Sequence, residues 1–198
     1  MEPRSAVAVG VPDELEQRIR VALNPSGYRV ATVSPSLIWD VVDLDQAQGA
    51  FPESVDLLLL GSGLFSGPHN HPQDSICAGA GSCFVCIKSV LRGMIRRRFG
   101  RIVAIAPPLG STPSMEQALR LALSGLTKTI AREVGSRGIT ANMVAPGFLE
   151  PATNGISPYV AAGRPGRLEE VAQVIAFLAG DGSTYVNGQF LAVDGGLS

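Results

Sequence analysis

Residues 100–147 read GRIVAIAPPLGSTPSMEQALRLALSGLTKTIAREVGSRGITANMVAPG, and three segments in them decide the fold. Arg101–Ala106 is a short, β-rich apolar run, and Ile139–Ala145 is a second one, closed by Pro146-Gly147. Between them, Ser114–Glu133 carries apolar side chains at Leu119, Ala122/Leu123, Leu126 and Ile130, with Val134 next, the three-and-four spacing of one buried helical face. Strand, long helix, strand is the crossover unit that joins neighbouring parallel strands. Ser114, with Gln117 three residues on, predicts a capping box at the helix start.

Upstream, Ala6–Gly10 predicts a first strand and Pro12–Leu23 a helix, with Pro12 in its first turn and Asp13, Glu14 and Glu16 at its positive end. Tyr28–Val33 predicts the second strand, and Ile38–Leu44 another that follows too soon for a crossover helix. Val55–Leu60 is the next strand; Gly61-Ser62-Gly63 after it reads as a structural turn before a phosphate loop. Leu64–Gln73, with His69-Asn70-His71, reads as an exposed loop. A helix capped by Asp74 or Ser75 runs to Arg98, with Ile76, Ala80, Cys83/Phe84, Ile87, Leu91 and Met94/Ile95 on its apolar face. Arg96-Arg97-Arg98 complements the negative end of that helix, an anion patch being the weaker reading. Leu168–Ala179 and Gln189–Val193 supply the last helix and strand. The alternation predicts a single α/β domain over residues 1–198, shortened, with a doubly wound and mostly parallel sheet.

The 198 residues suffice for one full core. A net charge of −1 gives no footprint for nucleic acid or for a membrane surface. No apolar run is expected to reach the length of a membrane span, and the first residues lack a signal-peptide pattern, so a cytoplasmic protein is expected. Cys77, Cys83 and Cys86 are read as free thiols. With His69 and His71 they supply metal-ligand chemistry on paper, but the one CxxC lies within a core-packing helix and no second exists, so no metal is expected. Catalysis by a Cys–His pair is discounted likewise, since cysteine on an apolar helix face behaves as a small hydrophobe.

The segments GRIVAIA, GLTKTIAREVGSRGITANMVAPG, GRPGRLEEVAQVIAFLAG and YVNGQFLAVDGG, in this order, closely resemble the carboxy-terminal half of short-chain dehydrogenases/reductases, particularly the ketoacyl-reductase-like branch. The resemblance implies a Rossmann-like fold and, in active members, a tyrosinate that transfers a proton beside a lysine that lowers its pKa. In this chain the tyrosine position falls on Glu116, the lysine on Arg120, the catalytic serine on Pro107 and the helix asparagine on Gly79. Pro107 has neither hydroxyl nor N–H; an ionised glutamate has no proton to give, and arginine is too basic for a relay. Glu116 and Arg120 are instead spaced for a helix ion pair worth about 0.2–0.5 kcal/mol. Ser111 and Ser114 lie near enough to be considered as substitutes, in a loop shortened by several residues.

The cofactor half departs similarly. Of the family's phosphate-binding glycines only Gly10 matches; the next two positions fall on Glu14 and Glu16, whose carboxylates repel a pyrophosphate by about 1–4 kcal/mol per close pair, depending on local dielectric. Ser34-Pro35-Ser36 offers neither the acid nor the arginine that reads a ribose, and Asp40-Val41 or Asp43-Leu44 only echoes the family's adenine-bordering Asp-Val. Asn-Asn-Ala-Gly has become Leu60-Gly61-Ser62-Gly63, the threonine that contacts the cofactor falls near Pro151, and the lid shrinks to Phe148–Ala162.

The resemblance therefore implies a pseudoenzyme with no cofactor of its own. Its partner is expected to be a catalytically complete short-chain dehydrogenase paralogue carrying NAD, in a hetero-oligomer joined through the two long helices and through the last helix and strand. Cys77, Phe84, Ile87, Leu91, Leu119, Leu123 and Leu126 lie on the helices concerned. The pattern of loss is similar to that of noncatalytic subunits in mixed tetramers that act on hydroxyacyl-CoA thioesters in anaerobic toluene degradation. Two other readings stay open: a sensor for small molecules or acyl-CoA in the vacated crevice, and a repurposed oxidoreductase.

Overall fold

A computed structural model describes residues 3–39, 47, 49–65, 72–109, 113–151 and 160–197, and at 39, 72–77 and 113–116 it describes the backbone only. Six strands form one parallel sheet: β1 (Arg4–Val9), β2 (Tyr28–Val33), β3 (Leu57–Leu60), β4 (Gly100–Ile105), β5 (Ile139–Pro146) and β6 (Phe190–Val193), in the order β2-β1-β3-β4-β5-β6. The register places Val9 beside Val33 and Leu60, Leu60 beside Ala104, and Ile105 beside Val144. The strands' carboxyl ends thus meet along one edge. The chain winds outward both ways from β1, so the crevice where the order reverses opens between β1 and β3.

Helices cover both faces. α3 (Pro72–Arg97) and α4 (Pro113–Val134) pack on one, α1 (Asp13–Leu23) and α5 (Leu168–Ala179) on the other. Successive strand side chains alternate between the layers: Val7, Val9, Leu58 and Leu60 meet α3 and α4, while Ala6, Ala8, Leu57 and Leu59 meet α1 and α5. A strand sandwiched this way must be apolar on both sides, which is why β3 is four leucines in succession. Helices α3 and α4 begin at proline and α1 follows one, at positions where a missing N–H costs nothing.

Several expectations change. Ile38 does not begin a strand: Ser36–Trp39 is a short helix, α2, turned by bonds from the Leu37 and Ile38 N–H groups to the Ser34 and Pro35 carbonyls, and Ile38 is buried in the core under it. Asp40 and Asp43 lie outside the described residues. Leu64 and Phe65 are buried in a 3-10 turn, Ser62–Phe65, and not in an exposed loop. On α3 the buried face runs through Cys83, Cys86, Ile87, Val90, Leu91 and Met94, leaving Phe84 45% exposed. That helix also contains, at Ala78–Arg97, a stretch long and apolar enough by length and composition to cross a membrane, contrary to the sequence reading; Cys83, Cys86, Ile87, Val90, Leu91 and Met94 from it pack in the core on the sheet.

Candidate functional site

The site is built where β1, β3, β4 and β5 end. Gly10 follows β1 with φ 65°, and the Gly61 and Gly63 N–H groups bond the Val9 and Gly10 carbonyls, each at 2.8 Å. A Cβ on Gly61 would stand 2.2 Å from the Gly10 oxygen, and one on Gly63 would stand 2.8 Å from it. These glycines lock two loops against each other. Their shared backbone approach accounts for the glycines here without any phosphate, in keeping with the structural-turn reading.

Between these loops and the end of β4 lies a cavity of about 240 Å³, lined among the described residues by Glu14, Ser62, Ile105, Ala106, Leu149 and Glu150, and by Pro12, Pro108, Pro146 and Pro151. Four prolines bring no N–H to this wall. Other amides nearby are spent: Ala106 N–H on the Val144 carbonyl, Leu109 on Gly147 and Glu150 on Gly166. The wall therefore offers an anion few donors and two carboxylates. A second, wider cavity of about 580 Å³ runs beside it over the ends of β1 and β2, lined by Gly10, Asp13, Thr32, Ser34 and Ser62. Ser62 stands between the two.

Glu14 borders the first cavity as the sequence suggested, but Glu16 turns away from it. Its Oε1 accepts from Arg20 Nε at 3.0 Å, from Arg20 Nη2 at 2.5 Å and from Thr32 Oγ1 at 2.6 Å, while Arg20 also donates to the Val30 carbonyl and to Thr32. Glu16 is 6% exposed, so it fills the seam between α1 and β2 instead of the phosphate space. The four-residue spacing of Glu16 and Arg20 was legible in the sequence; Thr32 joins them only through sheet pairing.

The expected Glu116–Arg120 pair is described only on its arginine side. Arg120 is buried, 5% exposed, and its Nη2 donates to the Pro107 carbonyl at 2.9 Å and to the Pro146 carbonyl. Both bonds come from the one nitrogen, whose two N–H groups serve carbonyls at the carboxyl ends of β4 and β5. Pro107 and Arg120 are thus brought together. The side chains of Glu116 and Ser114, and residues 110–112 with Ser111, lie outside the described residues, as does the expected capping box. Gly79 is separate: a Cβ there would be 2.1 Å from Phe65 Cδ1, so the Phe65 ring occupies the space of any larger side chain.

Cys83 and Cys86 are buried, and burial raises both thiols, Cys86 to about 12. Among the described residues no three His, Cys, Asp or Glu side chains are grouped to hold a metal. His69, His71 and the Cys77 side chain lie outside them. Of the shortened lid, 152–159 are likewise undescribed, while Leu149 and Gly166 form a parallel bridge that ties its start to the turn before α5.

The all-parallel doubly wound sheet, with its cavities at the carboxyl ends of the strands astride the point of reversal, defines the class of dinucleotide-fold α/β domains. Comparison with known proteins narrows this. Residues 73–198 match the family described as Enoyl-(Acyl carrier protein) reductase. The 3-oxoacyl-(acyl-carrier-protein) reductases of Salmonella typhimurium and Escherichia coli are each 35% identical to the chain over 193 residues, covering 88% of it and 78% of their own length. That of Pseudomonas aeruginosa is 39% identical over 137 residues, 63% of this chain and 56% of its own. The chain belongs to the short-chain dehydrogenase/reductase family.

Proposed function

We propose that the chain is a noncatalytic subunit of a hetero-oligomeric, NAD-dependent short-chain dehydrogenase, in which a complete paralogue carries the cofactor, the catalytic tyrosine and the substrate. The observation that supports it most is Arg120. At the position of the family's lysine stands a buried guanidinium engaged with the Pro107 and Pro146 carbonyls, a structural tie in place of a proton relay. The residues present also fit a dinucleotide badly. Glu14 and Glu150 face the first cavity, the prolines withhold donors, and α1 places Asp13, Glu14 and Glu16 in its first turn, where a pyrophosphate would need an uncompensated positive end.

Two exposed apolar surfaces support the assembly. Phe84 on α3 and Leu121 on α4 are 45% and 65% exposed, and Phe177 on α5, Tyr185 and Phe190 on β6 are exposed beside the sheet's open edge. In our reading the first surface pairs with the matching helices of the paralogue and the second extends the assembly. The complex acts on an acyl thioester: the relatives' names specify acyl carrier protein, and the substrate we propose is a hydroxyacyl-CoA of the kind oxidised in anaerobic toluene degradation.

Co-expression with a complete short-chain dehydrogenase from the same source, followed by calorimetry with NAD, tests the reading. The expected result is a complex that binds NAD only in the paralogue and loses activity when the paralogue's tyrosine is replaced, but keeps it with Glu116→Ala here. Micromolar NAD binding or turnover by this chain alone would overturn it.

A further inference from the structure

At the amino-terminal end of the sheet, opposite the crevice, lies a cavity of about 410 Å³ lined by Arg4, Arg98, Arg101, Thr140, Asp181 and Thr184 among others. Arg101 is 2% exposed, yet among the described residues its one hydrogen bond is from Nη1 to the Gly100 carbonyl at 3.2 Å, and its buried Nε has none. Among the described residues no carboxylate stands within ion-pair distance of it. Its Cζ lies 4.6 Å from the centroid of the Phe99 ring, and Arg4 Cζ lies 4.9 Å from the same centroid, so two guanidiniums share one aromatic ring. Burial pushes the Arg101 pKa down, but a guanidinium keeps its proton inside proteins.

The charges around this cavity do not cancel. Asp181 accepts from Arg4 Nη2 with both oxygens, at 3.0 and 3.1 Å, which accounts for one cation. Arg98, held at φ 53°, is exposed and reaches only the Ser136 carbonyl, at 3.4 Å. Arg97 behaves as a helix-terminal arginine should, bonding the Val55 carbonyl and pairing with Asp56, and it takes no part here. Asp181, whose charge also acts on Arg101, is the one carboxylate lining the cavity among the described residues, against the three guanidiniums of Arg4, Arg98 and Arg101. A buried cation in this state is costly unless something anionic completes its hydrogen bonds. The Thr140 and Thr184 side chains, lining the same space, add hydroxyl donors.

We propose that this cavity binds a phosphate-class oxyanion, either free phosphate or the phosphate group of a small monoester, held by Arg101, Arg98 and Arg4 over the Phe99 ring. The site is independent of the crevice and of the scaffold reading. Three guanidiniums around one cavity present the forked donors that phosphate oxygens accept, and Asp181 is the internal competitor for them.

Calorimetric titration of the full chain at fixed ionic strength, with inorganic phosphate in one arm, glycerol 3-phosphate in a second and chloride as control, decides the matter. Saturable binding in either phosphate arm is expected, and comparing the two identifies free anion or ester as the better ligand. Arg98→Gln should weaken it at least tenfold, Asp181→Asn should strengthen it severalfold, and Arg101→Met should abolish it. Because Arg101→Met alters a buried side chain, the two exposed variants stand as evidence whether or not it folds. Phosphate and the ester binding no better than chloride, or binding unchanged in both Arg98→Gln and Asp181→Asn, would overturn the proposal.

Discussion

Single residues at the crevice are engaged in packing. Arg120 illustrates the energetics: its guanidinium satisfies two carbonyls at the carboxyl ends of neighbouring strands, in a place where water is excluded. Hydrogen bonds to a charged group are worth about 1.5–3 kcal/mol, so Arg120→Met, which keeps much of the volume but removes the donors, should lower stability by roughly that amount in urea unfolding. Arg120→Lys should recover only part of the loss, because the shorter lysine side chain stops short of the Nη2 position from which both carbonyls are reached. An unchanged unfolding midpoint in Arg120→Met would mean that the tie contributes nothing. Gly61 and Gly79 show the same logic by subtraction. Their missing side chains are filled by the Gly10 backbone and the Phe65 ring, so a Cβ at either position would collide with its neighbour.

Helix α5 shows how an element is secured at its start. The Arg167 N–H donates to the Glu170 carboxylate at 2.8 Å, and Arg164 reaches the same carboxylate with two bonds, at 2.6 and 2.9 Å. The Arg164 hydrogen bond, ahead of that from Arg167, holds the Glu170 carboxyl down at about 2 from an ordinary 4.5. Because the folded value is depressed, the stabilisation is present above about pH 4.5 and is lost as pH falls towards 2. An NMR titration of Glu170 should therefore give a midpoint near 2, and Glu170→Gln should remove part of the acid sensitivity of α5 in that window. A midpoint near 4.5 would show that Arg164 is solvated and the cluster open. Both groups are exposed, so the contribution to stability is that of a screened surface cluster.

Across the whole molecule, apolar surface has been distributed unevenly. Two layers of helices bury almost every aliphatic strand residue, yet Phe84 and Leu121 remain out on the α3–α4 face and Phe177, Tyr185 and Phe190 beside the sheet's open edge. If the first face is the principal joint with a paralogue, replacing Phe84 and Leu121 together by lysine should dissociate the complex in analytical ultracentrifugation while leaving the chain's own unfolding midpoint nearly unchanged, since neither side chain is in the core. A complex that survives the double substitution would shift the joint to the β6 edge.

The α/β class, the parallel crossover over residues 100–147, the exact span of α5 at Leu168–Ala179 and the strand at Tyr28–Val33 were all legible in the sequence, because each rests on local periodicity and on proline and glycine punctuation. The resemblance places the family's functional positions on Gly79, Pro107, Glu116 and Arg120 by counting along the chain. What those residues do instead was decided by tertiary structure. Arg120 could be read from its helix only as a partner for Glu116, since the Pro107 and Pro146 carbonyls reach it through strand pairing. Glu16 likewise reads as an acid at a helix start until β2 brings Thr32 beside it, and Arg101 reads as the opening residue of a β-rich run until the fold sets it and Arg4 on the one Phe99 ring. Period and punctuation are properties of neighbours in sequence, whereas the environment of a buried charge is set by groups tens of residues away, and only the folded sheet brings those to within hydrogen-bond reach.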